Sequence, residues 1–177
     1  MRKRLAAVSP LVGLGNFRAL HVQALVPTSG RRRIVEEYNV GANQGAIRGS
    51  CLCGTVRYVV TGHLTRALYC HCSMCRKAHG TAFRARAAVS AADFRWTGGE
   101  DAITWFESSP GNFRGFCRNC GSPLLSRLKS DPTVYGLPLG ALDDAPDVTP
   151  CMHVHVASKA PWFEITDDLR QFAERPV

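Results

Sequence analysis

Seven of the eight cysteines stand in three tight groups: Cys51-Leu52-Cys53, Cys70-His71-Cys72-Ser73-Met74-Cys75 and Cys117-Arg118-Asn119-Cys120. Disulfide frameworks scatter single cysteines along a chain, and neighbours this close rarely bond to each other, whereas grouped thiolates suit a soft divalent metal. The chemistry expected is therefore zinc binding. Reduced thiolates also imply a reducing compartment, most simply the cytoplasm.

Two residues separate Cys117 from Cys120, and Gly121 follows, which makes a zinc knuckle with both sulfurs within about 2.3 Å of one ion. If the chain is extended through Cys51, Leu52 and Cys53, period-two geometry puts both sulfurs on one face. Each pair fills half a tetrahedral site. Joined, Cys51, Cys53, Cys117 and Cys120 would form a closed structural zinc site that staples distant parts of the chain.

Cys70, Cys72 and Cys75 are then left with a vacant fourth position, as in catalytic zinc sites that keep room for water or substrate. Two plainer readings compete: a single ion with spare thiols, and a fourth protein ligand that closes the trio. Candidates for that ligand are His63, His71, His79, Cys151, His153 and His155. His71 sits between two ligands and is expected to point away, whereas His79 follows about one turn after Cys75. A strand over 151–156 would put Cys151, His153 and His155 on one face. Cys151 is taken as non-ligating.

The elements that must hold these groups read as strands. Val56, Tyr58 and Val60 share a face, as do Phe83, Ala85, Ala87 and Val89 with Arg84 and Arg86 opposite; Ile103 and Trp105 alternate with Thr104 and Phe106. Gly and Pro punctuate the chain at Gly62, Gly98-Gly99, Pro110-Gly111, Gly121 and Pro132, too closely for ordinary helices. The one helical hint is Asp167 to Glu174, where Leu169 and Phe172 lie three apart. The expected fold is mainly β, with small antiparallel sheets and the cysteine clusters in turns between them.

The 177 residues are one domain's worth of chain, and the formal charge is +8. Seven Lys and Arg fall within residues 1–35, which hold no acid, so the rest carries 15 bases against 14 acids. Two zinc ions on seven thiolates would bring that core to roughly −2. The basic character thus belongs to the tail, and nothing in the core resembles a nucleic-acid patch. Residues 1–46 are read as a basic N-terminal extension, disordered or not native, and 47–175 as the zinc-binding domain. The apolar run Leu5 to Leu14 is broken by Pro10 and Gly13 and is too short for a membrane span.

The segments Gly49 to Tyr58, Cys70 to Lys77 and Phe116 to Leu124, with His153 to Trp162 as a closing motif, strongly resemble the glutathione-dependent formaldehyde-activating family, also called the CENP-V/GFA domain. The resemblance spans roughly Gly49 to Phe172. It implies a β-tent fold similar to Mss4-like proteins. It also implies structural zinc on Cys51, Cys53, Cys117 and Cys120 and catalytic zinc on Cys70, Cys72 and Cys75, two ions per chain.

The activity implied by the resemblance joins glutathione to formaldehyde as S-hydroxymethylglutathione, formally a carbon-sulfur lyase reaction. The partner implied is a small-molecule thiol such as glutathione, while the charge distribution and the short apolar run argue against nucleic acid and membrane. Arg76, Lys77 and Arg84 are candidates for holding a substrate carboxylate. The alternative is a non-catalytic binding module in which zinc serves only the fold.

Overall fold

The computed structural model describes residues 45–176, so the expected extension over 1–46 lies almost wholly outside the described residues. The strands in order are β1 (Ile47–Ser50), β2 (Arg57–Val60), β3 (Thr65–Cys70), β4 (Arg84–Ser90), β5 (Phe94–Gly98) and β6 (Ile103–Ser109). β7 (Asn112–Cys117), β8 (Pro123–Leu128), β9 (Asp131–Pro138), β10 (Met152–Val154) and β11 (Arg170–Gln171) complete them. Among the described residues one α-helix, α1 (Ser73–His79), interrupts the series after β3. No helix among the described residues is long and apolar enough to cross a membrane.

The strands form a three-stranded sheet, β1-β2-β5, and an eight-stranded sheet in the order β11-β10-β3-β4-β9-β8-β7-β6. The protein is therefore mainly β, as the alternation implies. Small antiparallel sheets are not the whole of it: β10 runs parallel to both β3 and β11, so the large sheet is mixed.

A core joins residues of both sheets: Val56, Tyr58 and Val60 around β2, Ala87 and Val89 on β4, Leu124 on β8 and Leu137 on β9 are all buried. Each large apolar side chain so buried contributes about 1.5–3 kcal/mol. Tyr58 anchors the cluster, with Phe94 at 5.0 Å and Trp96 edge-on at 5.9 Å, while its hydroxyl donates to Ala141 O at 3.1 Å. Its β1 partner has to be Gly49, because a Cβ there would stand 2.2 Å from the Tyr58 ring. A smaller core of Leu68, Cys70, Cys75 and Val154, with Phe172 against it, lies under the start of α1.

The helix expected over Asp167 to Glu174 is not there. Asp167 turns its carboxylate onto the Leu169 N–H at 3.0 Å, a local turn that competes with helix formation. The chain then runs as β11 beside β10, and the Phe172 N–H donates to His153 O at 2.9 Å. Pairing with a waiting strand edge outweighs the weak spacing of Leu169 and Phe172.

Candidate metal centres

Cys51 and Cys53 sit in the turn from β1 to β2; Cys117 ends β7 and Cys120 lies in the turn into β8. The four Sγ atoms all lie within 4.8 Å of one another. The Cys51 and Cys53 sulfurs are 3.5 Å apart, and Cys53 and Cys117 are 3.9 Å apart. Ligands about 2.3 Å from one tetrahedral ion stand about 3.8 Å from each other, so the group fits a zinc of four thiolates.

The Cys51 to Cys53 segment is a turn rather than the extended stretch expected, closed by Gly54 N–H to Cys51 O at 2.9 Å. The knuckle closes in the same way, from Gly121 N–H to Cys117 O at 2.8 Å. Both closing glycines adopt φ in the left-handed region, 71° and 74°, where a side chain would be strained.

Polar neighbours prepare these sulfurs for ionisation. The Val56 N–H points at Cys51 Sγ across 3.3 Å. Hydrogen bonding with Ser122 brings Cys120 down to about 5, and Thr55 holds Cys53 below the ordinary thiol value. Burial instead pushes Cys117 up to about 11. Four such thiols ionise together only around a cation.

The trio is built at a strand-to-helix corner. Cys70 ends β3, Cys72 caps α1 and Cys75 lies in its first turn, where the Cys75 N–H donates to Cys72 Sγ at 3.3 Å. Their sulfurs also lie within 4.8 Å of one another, with Cys70 and Cys75 buried and Cys72 half-buried. Hydrogen bonds among them push the Cys70 thiol far up and hold Cys75 far down. Arg114 reaches Cys75 Sγ at 3.8 Å. Three converging soft donors fit zinc with one position to spare.

Among the described residues, no further His, Cys, Asp or Glu joins either group. His63 lies 3.6 Å from Asp147, and the Cys151 thiol donates to Ala67 O at 3.5 Å. His79, at the end of α1, is driven down to about 4 by burial and by Arg84. The strand expected over 151–156 covers only Met152–Val154. It ends because His155 turns left-handed at φ 58°, so Cys151, His153 and His155 make no common set.

His71 is fully buried against Phe83 and Phe163, and its Nε2 lies 2.8 Å from His153 Nδ1. His153 Nε2 in turn lies 3.1 Å from both carboxylate oxygens of Asp167. Burial and the neighbouring His153 bring His71 down to about 4, so the ring between the two ligands is neutral at pH 7. This chain, from buried His71 through buried His153 to the exposed Asp167, braces the corner from behind, a link that no local spacing announces across 82 residues of separation.

Of the candidate carboxylate holders, Arg76 is a strap: its Nε donates to His71 O at 3.3 Å and its Nη2 to Ser158 O at 3.2 Å. Lys77 is exposed on α1. Arg84 is buried and borders a cavity of about 210 Å³ shared with all three cysteines of the trio. Arg86 and Arg114 border it as well and were not singled out by the sequence. The available signal was the alternation of Arg84 and Arg86 along an otherwise apolar strand.

The family model described as "Glutathione-dependent formaldehyde-activating enzyme" matches residues 46–158. A Halomonas elongata protein named "Putative glutathione-dependent formaldehyde-activating enzyme" is 32% identical over 127 residues, covering 67% of this chain and 80% of that protein. A crystal structure of a Rhodobacter sphaeroides protein aligns with 27% identity over 56% of this chain and 97% of the other, at a TM-score of 0.44. The extent of the family match, with the cysteine groups inside it, means that the chain belongs to the glutathione-dependent formaldehyde-activating (GFA) family.

Proposed function

We propose that this protein is a zinc-dependent enzyme of the carbon-sulfur lyase type, acting on a thiol adduct such as that of glutathione with formaldehyde. Family membership supports an enzymatic role in general. The observation that carries the finer reading is the contrast between a four-cysteine group that is complete and a three-cysteine group that opens onto a cavity.

Cys51, Cys53, Cys117 and Cys120 would hold a structural zinc, and Cys70, Cys72 and Cys75 a catalytic one, within a β-tent arrangement spanning about residues 47–175. Bound at the trio, zinc supplies a Lewis-acidic centre able to lower a thiol pKa or polarise an aldehyde oxygen. The chain's own residues do the rest. Arg114 beside Cys75 offsets thiolate charge, Arg84 and Arg86 face the cavity where a substrate carboxylate would lie, and the neutral His71 chain keeps the corner rigid. In the overall conversion a sulfur-carbon bond forms as the carbonyl π bond opens, and a proton lost from the thiol is matched by one gained at the aldehyde oxygen; the lyase direction reverses each change. Reduced thiolates suit the cytoplasm.

Metal content and formaldehyde consumption with glutathione test the reading. We expect two zinc ions per wild-type chain, one in Cys72→Ser, and loss of consumption in the variant. A Cys72→Ser protein that consumes formaldehyde like wild type would sink the enzyme and leave a binding module.

A further inference from the structure

The face of the large sheet that looks over the trio carries an unusual concentration of unpaired positive charge. Arg84 is buried, with 5% of its surface exposed; its Nη1 donates to Ser126 Oγ at 3.1 Å and its Nη2 to Gly136 O at 2.7 Å. Its Nε is buried without a partner, and so is the Nε of Arg86 two residues on. Arg114, paired across to Ser126 on the neighbouring strand, has Ser108 Oγ and Cys75 Sγ as its partners. Arg66, held at φ 48° in a bulge of β3, and Arg175 border the same cavity.

None of these five guanidiniums forms a salt bridge with a carboxylate among the described residues. Arg127 also touches the cavity, but its guanidinium lies 4.1 Å over the Trp105 ring. The one acid of the lining, Asp131, already accepts from Thr133 Oγ1 at 2.6 Å. Leaving a buried guanidinium without an anion is costly: burial and the charge of Arg86 bring Arg84 down to about 10, and burial with Arg175 and Arg66 lowers Arg86. A bound anion is the group that would relieve this.

The charge balance sets how anionic that group must be. Six guanidiniums, Arg127 included, against Asp131 leave five positive charges. Three thiolates and a divalent ion remove one, so about four remain. Glutathione, with two carboxylates and one ammonium, brings a net charge of −1 and leaves the cavity under-neutralised.

We infer that this arginine cavity is an anion subsite for a ligand bearing a dianionic group, a phosphate monoester or paired carboxylates, placed beside the thiol that the trio receives. The inference rests on the thiol-binding reading of the trio only for that placement. The anion subsite stands on the arginines alone.

Isothermal titration of the zinc-loaded full chain tests it with four probes: N-acetylcysteamine (neutral thiol), N-acetylcysteine (one carboxylate), mercaptosuccinate (two) and succinate (two, no thiol). Affinity is expected to rise by about tenfold for each added carboxylate and to weaken with salt. Arg86→Gln and, as a second more exposed variant, Arg66→Gln should each compress that series, whereas Arg95→Gln, on the other sheet, should not. Mercaptosuccinate binding no tighter than N-acetylcysteamine overturns the inference, as does a series that Arg86→Gln and Arg66→Gln both leave intact. Succinate matching mercaptosuccinate, with both indifferent to Cys72→Ser, supports the anion subsite while overturning the thiol role of the trio. Inorganic phosphate competing with mercaptosuccinate better than succinate does would identify the dianion as a phosphate.

Discussion

The two cysteine groups use the same ligand chemistry at two mechanically different places. The group of four gathers a turn of the small sheet and the β7–β8 turn of the large one, so its members come from segments about 65 residues apart and a metal held by all four would tie the two sheets together. The group of three lies within six residues at one corner, holds nothing together that α1 and β3 do not already hold, and faces a charged cavity. Metal affinity alone does not make a site catalytic. What would separate a structural from a catalytic role is whether the metal spends its last coordination position on the fold.

That comparison is most sharply broken by two serines. Apparent zinc binding at a closed thiolate site is worth on the order of 10 kcal/mol, about the whole stability of a domain this size. Cys117→Ser should therefore leave the chain unfolded at 37 °C by circular dichroism. Cys72→Ser should melt within a few degrees of wild type, losing one zinc and the proposed activity. Equal destabilisation by the two variants would erase the division of roles.

Chelation should resolve the same difference without mutation. A graded chelator is expected to remove the first zinc with the tertiary signal retained and the second only together with unfolding, followed by metal release and near-ultraviolet dichroism on one sample. Simultaneous loss of both would mean one linked metal unit.

Tyr58→Ala removes the ring around which β1, β5 and the core pack, and should cost about 3–5 kcal/mol. Its effect belongs with the four-cysteine group, because the hairpin carrying Cys51 rests on it. Zinc at the trio should survive as long as the variant folds, which metal analysis of the folded fraction would reveal.

Why the four and the three were legible in sequence, and the cavity was not, follows from the range of the interactions. Ligand spacing is local: two residues between Cys117 and Cys120, or five positions from Cys70 to Cys75, encode the geometry by themselves. The alternation on β4 was also local, but it says only that Arg84 and Arg86 share a face. That this face is covered, and lined by Arg114 and Ser126 of strands some 30 to 40 residues later, depends on sheet order. α1 escaped notice because its start is set by the Cys72 sulfur accepting the Cys75 N–H, a cap that serine, threonine or aspartate usually supplies. The false helix near Asp167 failed for the complementary reason, a strand edge outside the window of local periodicity.

The smallest expected effect separates surface charge from metal as the source of acid sensitivity. Arg48 on β1 pairs with Asp144 at 2.7 Å, and this bonding brings Asp144 down to about 2. A carboxyl lowered in the folded state contributes stability above its ordinary pKa near 3.8 and loses it as pH falls through 2. The pair is largely exposed, so Asp144→Asn should shift the melting temperature at pH 7 by no more than a degree or two. Thiolate ligands take up protons at far higher pH than that, and metal release should therefore unfold the protein before the pair is touched. The acid midpoint of Asp144→Asn should coincide with that of wild type and with zinc release followed by a chromogenic chelator. An acid midpoint that moves with Asp144 while zinc stays bound would transfer the pH limit from the closed metal site to the strand it abuts.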